Sequence, residues 1–321
     1  MTLAAALLLI PAYAQDEDTG RKWAVVEFST NFMREEPDYT AENGDQALMG
    51  TVVEIIGERG YWRHIVSPEP YTAWVNEMGL IEMTQEEVND YIDCLKYICI
   101  TDFTHIYAEP SLESERISDF VMGCLVRSLF NGKGKPMKSG KFLACMLPSG
   151  KCGWVLKSDV EDFDTWIASR NATADSILST AFDFLGVPYM WGGTSIKHVD
   201  CSGLTRSVFF MNGILLPRNA SQQARAGIPV SLDELEPGDL LFFGTPAEEG
   251  HPESISHVGI YMGDDVYIHA SQVVRISTLD PESEDYGGRQ PLRARRILGH
   301  VDDGHGVISI AKSPYYFTQS E

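Results

Sequence analysis

Asp200-Cys201-Ser202-Gly203-Leu204-Thr205-Arg206-Ser207-Val208-Phe209-Phe210-Met211 decides how the C-terminal half of this chain folds. Asp200 is a good N-cap, Leu204, Val208 and Met211 share a helical face, and Gly213 stands where a helix would end. The stretch predicts an amphipathic helix with Cys201 in its first turn. Upstream, Thr173 to Leu185 sets Ile177, Leu178, Ala181 and Leu185 on one face and predicts another helix. Downstream, Asn219 with Gln222 three residues on can cap a short helix before Gly227. The periodicity then changes. Asp239-Leu240-Leu241-Phe242-Phe243, His257-Val258-Gly259-Ile260-Tyr261 and Asp265-Val266-Tyr267-Ile268-His269 read as strands. Pro237-Gly238 precedes the first, and Gly263-Asp264 joins the other two. Helices followed by antiparallel strands make an α+β domain over residues 170–303.

Chemistry-bearing residues recur at the edges of these elements. Cys201 starts a helix, where unpaired N–H groups and the positive dipole end favour a thiolate. His257 begins one strand of the predicted hairpin and His269 ends the next, so both should lie at the same end of it. One imidazole can then take the thiol proton while the other orients it. Two His and one Cys can also bind zinc, and either type is often structural.

The N-terminal half carries an internal repeat. Pro37 precedes Gly50 by 13 residues, and Pro110 precedes Gly123 by the same interval. A strand-like run follows each Gly, Thr51 to Ile56 and Cys124 to Leu129. Each unit then has Ala73-Trp74-Val75 or Gly153-Trp154-Val155, with Leu80 or Val160 six residues past the Trp. Short strands at this spacing predict small β-barrels, and the pattern resembles tandem bacterial SH3-like domains over residues 20–83 and 84–165. Thr84 to Glu87 reads as a capping box that opens a short helix to about Leu95. Residues 304–321 form a tail with no clear pattern.

Composition narrows the function further. The formal net charge of −21 disfavours nucleic acid and anionic lipid, and no run of 18 apolar residues predicts membrane insertion. Leu3 to Ile10 is apolar, and Ala12 and Ala14 fit a cleavage site before Gln15. Residues 1–14 are thus expected to be a signal peptide and the protein to be exported, periplasmic or extracellular. Five of the six cysteines fall between residues 94 and 152. Cys145 and Cys152 flank a turn at Leu147 to Gly150, where they can pair as a disulfide or remain free thiols.

The word order in the C-terminal half is specific. Gly186-Val187-Pro188-Tyr189-Met190-Trp191-Gly192-Gly193 precedes Asp200-Cys201-Ser202-Gly203-Leu204. Leu216-Pro217-Arg218-Asn219-Ala220-Ser221-Gln222-Gln223, Pro237 to Phe243, His257 to Tyr261 and His269-Ala270 follow. Over about 120 residues this order resembles the NlpC family of cell-wall peptidases. The resemblance implies a papain-like catalytic domain preceded by two small SH3-like β-barrels, with Cys201, His257 and His269 as catalytic triad. It also implies hydrolysis of the bond between γ-D-glutamate and a diamino acid in peptidoglycan stem peptides or muropeptides, with no cofactor.

The members with SH3-like domains resemble the chain most closely. That resemblance assigns Asp200 and Ser202 to the free amine and D-glutamate end of the substrate, and Ser221 to a carboxylate. Arg218 either serves the same anion or forms a structural ion pair. Tyr189 and Trp191 wall the cleft or stabilise the oxyanion, and core packing is the alternative for each. Tyr71 and an upstream acid bind the ammonium. The acid is expected to be Glu42, with Glu36 and Asp45 as alternatives. An amidase or acyltransferase of the same fold, or a wall-binding protein without activity, would be the competing functions.

Overall fold

The computed structural model describes residues 20–319, so the expected signal peptide lies outside the described residues. Two antiparallel sheets of the same design occupy the N-terminal half. The first runs, in spatial order, Asn43–Leu48, Thr30–Arg34, Thr72–Asn76, Trp62–Val66, Val52–Arg59, Lys22–Val26 and Leu80–Met83. The second runs Arg116–Val121, Phe103–Tyr107, Cys152–Leu156, Phe142–Met146, Leu125–Ser128, Lys96–Cys99 and Val160–Asp162, with Lys138–Ser139 added beside Phe142–Met146. Chain order maps onto spatial order identically in both, which is what the repeat predicts. Each strand carrying the Trp-Val pair enters a 3-10 turn, Glu77–Gly79 or Lys157–Asp159, before the last strand. Gly50 and Gly123 adopt φ of +83° and +84°, a left-handed conformation that glycine takes without steric cost, so their equivalent positions mark a real structural repeat. Each sheet closes on its own apolar core, around Val53, Ile65 and Val75 in the first and Val126, Phe120 and Val155 in the second.

Between the sheets, Thr84 and Glu87 form the expected capping box on the helix Gln85–Asp93. After Val160–Asp162 comes a further short helix, Phe163–Ala168. In the C-terminal half, Ala174–Asp183 and Cys201–Phe210 are helices capped by Thr173 and Asp200. They cover a six-stranded antiparallel sheet in the order Ile228–Val230, Arg293–Arg296, Leu240–Thr245, Ser254–Gly263, Val266–Ser271 and Val273–Thr278. Leu204, Val208, Phe242, Val258, Ile260 and Ile268 share the core between helix and sheet. The hairpin corner falls at Asp264 and Asp265, both left-handed at φ of 49° and 58°, one residue beyond the predicted Gly263-Asp264.

The structure decides two points that the sequence left open. Cys145 pairs in register with Gly153, and Cys152 with Met146. The two cysteines are therefore one position out of register. Cys145 points into the core, Cys152 is exposed, and both are free thiols. A disulfide would require both on one face. The tail also has structure. Ile308–Ser309 pairs with Ile214–Leu215, and Tyr316 is buried with Phe163 and Trp166. Tyr315 meets Trp23 edge-on, and Thr318 hydrogen-bonds Asp93, so the tail joins the C-terminal half to both sheets.

Candidate active site

Cys201 occupies the first position of its helix and is almost fully buried. Its amide has no intrahelical acceptor there. The thiol reaches the backbone of Val258, the neighbour of His257. Across the hairpin, His257 and His269 lie on the same face of the sheet, because Ile260 pairs with Ile268 and residues of like parity share a side. Gly259 sits between them, and a Cβ there would fall 3.2 Å from that of His269 and 2.8 Å from the Tyr267 ring. Its missing side chain lets the two imidazoles meet. His257 Nε2 is 2.7 Å from His269 Nδ1, and His269 Nε2 is 3.1 Å from the hydroxyl of Ser277. Among the described residues His257 Nδ1 makes no hydrogen bond and is the ring nitrogen left for a proton.

Ser277 went unread in the sequence, since only strand register brings it to His269. When its oxygen accepts from His269 Nε2–H, His269 Nδ1 accepts from His257 Nε2–H. That tautomer leaves His257 Nδ1 unprotonated, as a base must be.

Burial governs the charge states. It pushes the Cys201 thiol up to about 11, with the adjacent Asp200 carboxylate adding to the effect. It pushes His257 down to about 4, assisted by the positive charge of Arg289. His269 is pushed down to about 3 by burial, and by the charges of His257, Arg275 and Arg289. The resting pair is thus a neutral thiol and a neutral imidazole. The thiolate expected from the helix terminus is outweighed by desolvation and Asp200.

A cleft of roughly 200 Å³ opens beside Cys201. It is lined by Asp200, Ser202 and Ser221 from the C-terminal half, by Trp191, and by Tyr71 and Glu35 from the first sheet. The sequence-predicted residues divide here. Trp191 is 57% exposed and forms a cleft wall. Tyr189 is half-buried against the core, near enough to Cys201 and Asp200 to be affected by them, and burial pushes its phenol up to about 12 so that it stays a donor. Ser221 is exposed, and its hydroxyl makes no hydrogen bond among the described residues. Ser202 instead donates to Asp200 Oδ1 and accepts from Arg218, so its hydroxyl is already engaged.

Asp200 is engaged as well. It accepts from the amides of Gly192 and Gly203, from Ser202 and from both terminal nitrogens of Arg218. Arg218 is a structural ion pair. Its Nη2 is 2.5 Å from Asp200, and its Nε lies 2.8 Å from Asp45 at ion-pair distance without hydrogen-bond alignment. Asp45, fully buried, also takes both contacts of Arg206 Nη1 and the hydroxyl of Thr194. Burial alone would raise the Asp45 carboxyl, but Arg206 and Arg218 outweigh it and hold it low. Glu69 completes the network on Arg206. Asp45 is thus engaged by two arginines and a hydroxyl, and it does not line the cleft.

Glu42 and Glu36 do not line the cleft; Glu35 does, and its carboxylate makes no hydrogen bond or ion pair among the described residues. A bulge precedes this acid: Met33 pairs with Asp45 but Arg34 pairs with Asn43, so Gly44 is an extra residue. The gap left by Gly44 is filled by the Tyr71 hydroxyl, which a Cβ there would overlap at 2.2 Å.

A thiol at a helix N-terminus, beside a hairpin carrying two hydrogen-bonded imidazoles, defines an α+β cysteine hydrolase. Residues 186–295 match the model of the NlpC/P60 family and form an NlpC/P60 cysteine peptidase domain. A gamma-D-glutamyl-L-lysine dipeptidyl-peptidase of Bacillus cereus is 29% identical over 275 residues, covering 79% of this chain and 74% of that protein. Dipeptidyl-peptidase 6 of Lysinibacillus sphaericus is 27% identical over 265 residues, covering 80% of this chain and 91% of that protein. In fold, the chain is similar to a solved NlpC/P60 family protein from Bacillus cereus, with a TM-score of 0.71 at 24% identity over 86% of this chain and 99% of that one.

Proposed function

We propose that the protein is an exported cysteine endopeptidase that cleaves the γ-D-glutamyl-L-diamino acid bond of peptidoglycan stem peptides bearing a free N-terminal L-Ala. The observation that carries the reading is the composite cleft. The first sheet supplies an unpaired carboxylate, Glu35, and the Tyr71 hydroxyl to the cleft beside Cys201. An ammonium suits Glu35 and Tyr71, and the unbonded Ser221 hydroxyl suits the free carboxylate of D-glutamate. Of the relatives named above, alike over most of both chains, one is named a gamma-D-glutamyl-L-lysine dipeptidyl-peptidase and the other a dipeptidyl-peptidase.

Cys201 attacks the γ-carbonyl as His257 Nδ1 takes the thiol proton. Because the resting pair is neutral, transfer accompanies attack, and His257 acts as general base. The oxyanion is stabilised by the Cys201 amide and the Tyr189 hydroxyl. His257 then protonates the leaving amine. Water, deprotonated by the same ring, hydrolyses the thioester and frees the thiol. His269 and Ser277 hold His257 in the required tautomer.

Mass spectrometry of a digest of L-Ala-γ-D-Glu-diaminopimelate should find L-Ala-γ-D-Glu and the free diamino acid. Cys201→Ala should fold normally and lose activity by several orders of magnitude. Substantial turnover by that variant, or inactivation by EDTA, would replace the thiol mechanism with a metal one. The acid limb of kcat should also lie well below the ordinary histidine value, because the base works only while neutral and its pKa is depressed to about 4. An acid limb at or above pH ~6.5 would contradict a buried, neutral His257.

A further inference from the structure

The face of the sheet that carries both imidazoles also carries Arg275, and a loop beside it carries Arg289; neither arginine makes a hydrogen bond or ion pair among the described residues. Arg275 lies directly opposite His269 in the pairing of Val266–Ser271 with Val273–Thr278. Opposed residues project to the same side, so the guanidinium leaves the sheet beside the imidazole. His269 is buried there and Arg275 exposed. Arg289 comes from the loop after Tyr286. Gly287 in that loop passes so close that a Cβ would overlap the Tyr267 hydroxyl and come within 3.5 Å of the Ser277 Cβ. Ser277 is the partner of His269, so the loop brings Arg289 to the same place. The charges of both arginines act on His269, and that of Arg289 acts on His257.

The chemistry fixes which part of a substrate meets them. The acyl half occupies the cleft between Cys201 and Tyr71. The leaving amine must stand at His257 Nδ1 to receive its proton. The rest of the leaving residue then extends away from the cleft, over the His257–His269 face. In a chain of net charge −21, two unopposed guanidiniums make a local positive field there.

We propose that Arg275 and Arg289 form an anion subsite on the leaving-group side, which takes carboxylates of the departing diamino acid. The subsite favours a side chain that ends in a carboxylate as well as an amine, as in diaminopimelate, over one that ends in an ammonium alone, as in lysine. The inference rests on the peptidase reading above, and it points away from the lysine in the name of the Bacillus cereus relative.

Two measurements test it. The first is the ratio of kcat/KM for L-Ala-γ-D-Glu-meso-diaminopimelate over L-Ala-γ-D-Glu-L-Lys. Wild type should favour the former by about tenfold, and the double variant Arg275→Gln, Arg289→Gln should bring the ratio within about threefold, chiefly through KM. The second needs no peptidase activity. Alkylation rates of Cys201 by iodoacetate and by iodoacetamide are read by peptide mapping, and their ratio should fall about threefold or more in the double variant. Both substitutions are at exposed positions, and both reagents report the same thiol, so a general change in reactivity cancels. A double variant that keeps both ratios at the wild-type value would overturn the subsite. If wild type cleaves neither peptide, the peptidase reading falls, while the alkylation ratio still decides whether these arginines draw an anion to the thiol.

Discussion

The two N-terminal sheets have the same strand order, the same glycine turn and the same Trp-Val word, yet only the first reaches the active-site cleft. Its edge strand Asn43–Leu48 docks on the segment that leads to Cys201. Asn43 Nδ2 donates to the carbonyl of Gly192, and Gln46 Oε1 accepts from the Thr194 amide and the Ser195 hydroxyl. Asp45 closes the buried network on Arg206 and Arg218. Gly192, at φ +75°, is required by this docking, since a Cβ would fall 2.3 Å from the Asn43 carbonyl. The second sheet meets the C-terminal half mainly through apolar packing, with Ile98 and Leu125 buried beside Leu215 and Phe210. Gly123 packs near Phe210, and Asp119 forms a half-exposed pair with Lys197. Where Tyr71 and Glu35 stand in the first sheet, the repeat places Lys151 and Ala108 in the second. The shared fold fixes strand order alone, and function follows from which loops and edges meet the thiol.

The largest effect should come from the two docking acids. Asp45→Ala leaves two buried guanidiniums short of a partner and should cost about 3–5 kcal/mol. Asp119→Ala removes a screened, half-exposed pair and should cost no more than about 1 kcal/mol. Urea unfolding midpoints compare them directly. Asp45→Ala should also lower kcat/KM, because the strand whose Gly44 seats the Tyr71 hydroxyl is released from Arg206 and Arg218. Equal midpoint shifts in the two variants would erase the distinction between the sheets.

Much of this arrangement was legible before the structure. The Pro-to-Gly interval marked the repeat because a left-handed turn demands glycine. The capping boxes at Thr84 and Asn219 are local, so their residues declare them. Cys201, His257 and His269 were readable because helix start and hairpin parity set their places. What failed to show was non-local. The acid that lines the cleft is Glu35 and not Glu42, although the two are backbone partners, and their spacing alone does not tell them apart. Asp45 looked like any acid in a strand until Arg206 and Arg218, both distant in sequence, buried it. Ser277 reaches His269 through cross-strand register. Tyr316 packs through a contact whose partners lie more than a hundred residues away.

The second effect concerns the substrate amine. Because Asp200 already accepts from two amides, a hydroxyl and Arg218, acylating the L-Ala nitrogen strands no bare charge on it. The penalty falls on Glu35, whose carboxylate is exposed, and on contact with the first sheet. Acetylation should therefore reduce kcat/KM by about tenfold. Glu35→Gln should reduce turnover of the free amine and largely abolish the discrimination, giving similar rates on L-Ala-γ-D-Glu-diaminopimelate and its N-acetyl form. Discrimination that survives in Glu35→Gln would move the amine site to another residue of the cleft.

The smallest effect separates equivalent positions in the two sheets. Tyr71 is half-buried, and its ring packs against the core of the first sheet, so Tyr71→Phe keeps the packing and removes one hydroxyl. Burial, with the nearby Asp45 carboxylate, pushes the phenol up, so at neutral pH the hydroxyl is neutral and meets an ammonium as acceptor. A single neutral hydrogen bond contributes about 0.5–1.5 kcal/mol, which predicts a rise in KM of about threefold to tenfold with kcat little changed. Glu35 remains to hold the charge, which places the expected value near the lower end. Lys151→Ala, at the matching position of the second sheet, should leave both constants within error, because its side chain is exposed and outside the cleft. Steady-state kinetics on one peptide decides the matter. A change at Lys151 equal to that at Tyr71 would mean that the second sheet also contacts substrate, and the division of labour between the repeats would have to be redrawn.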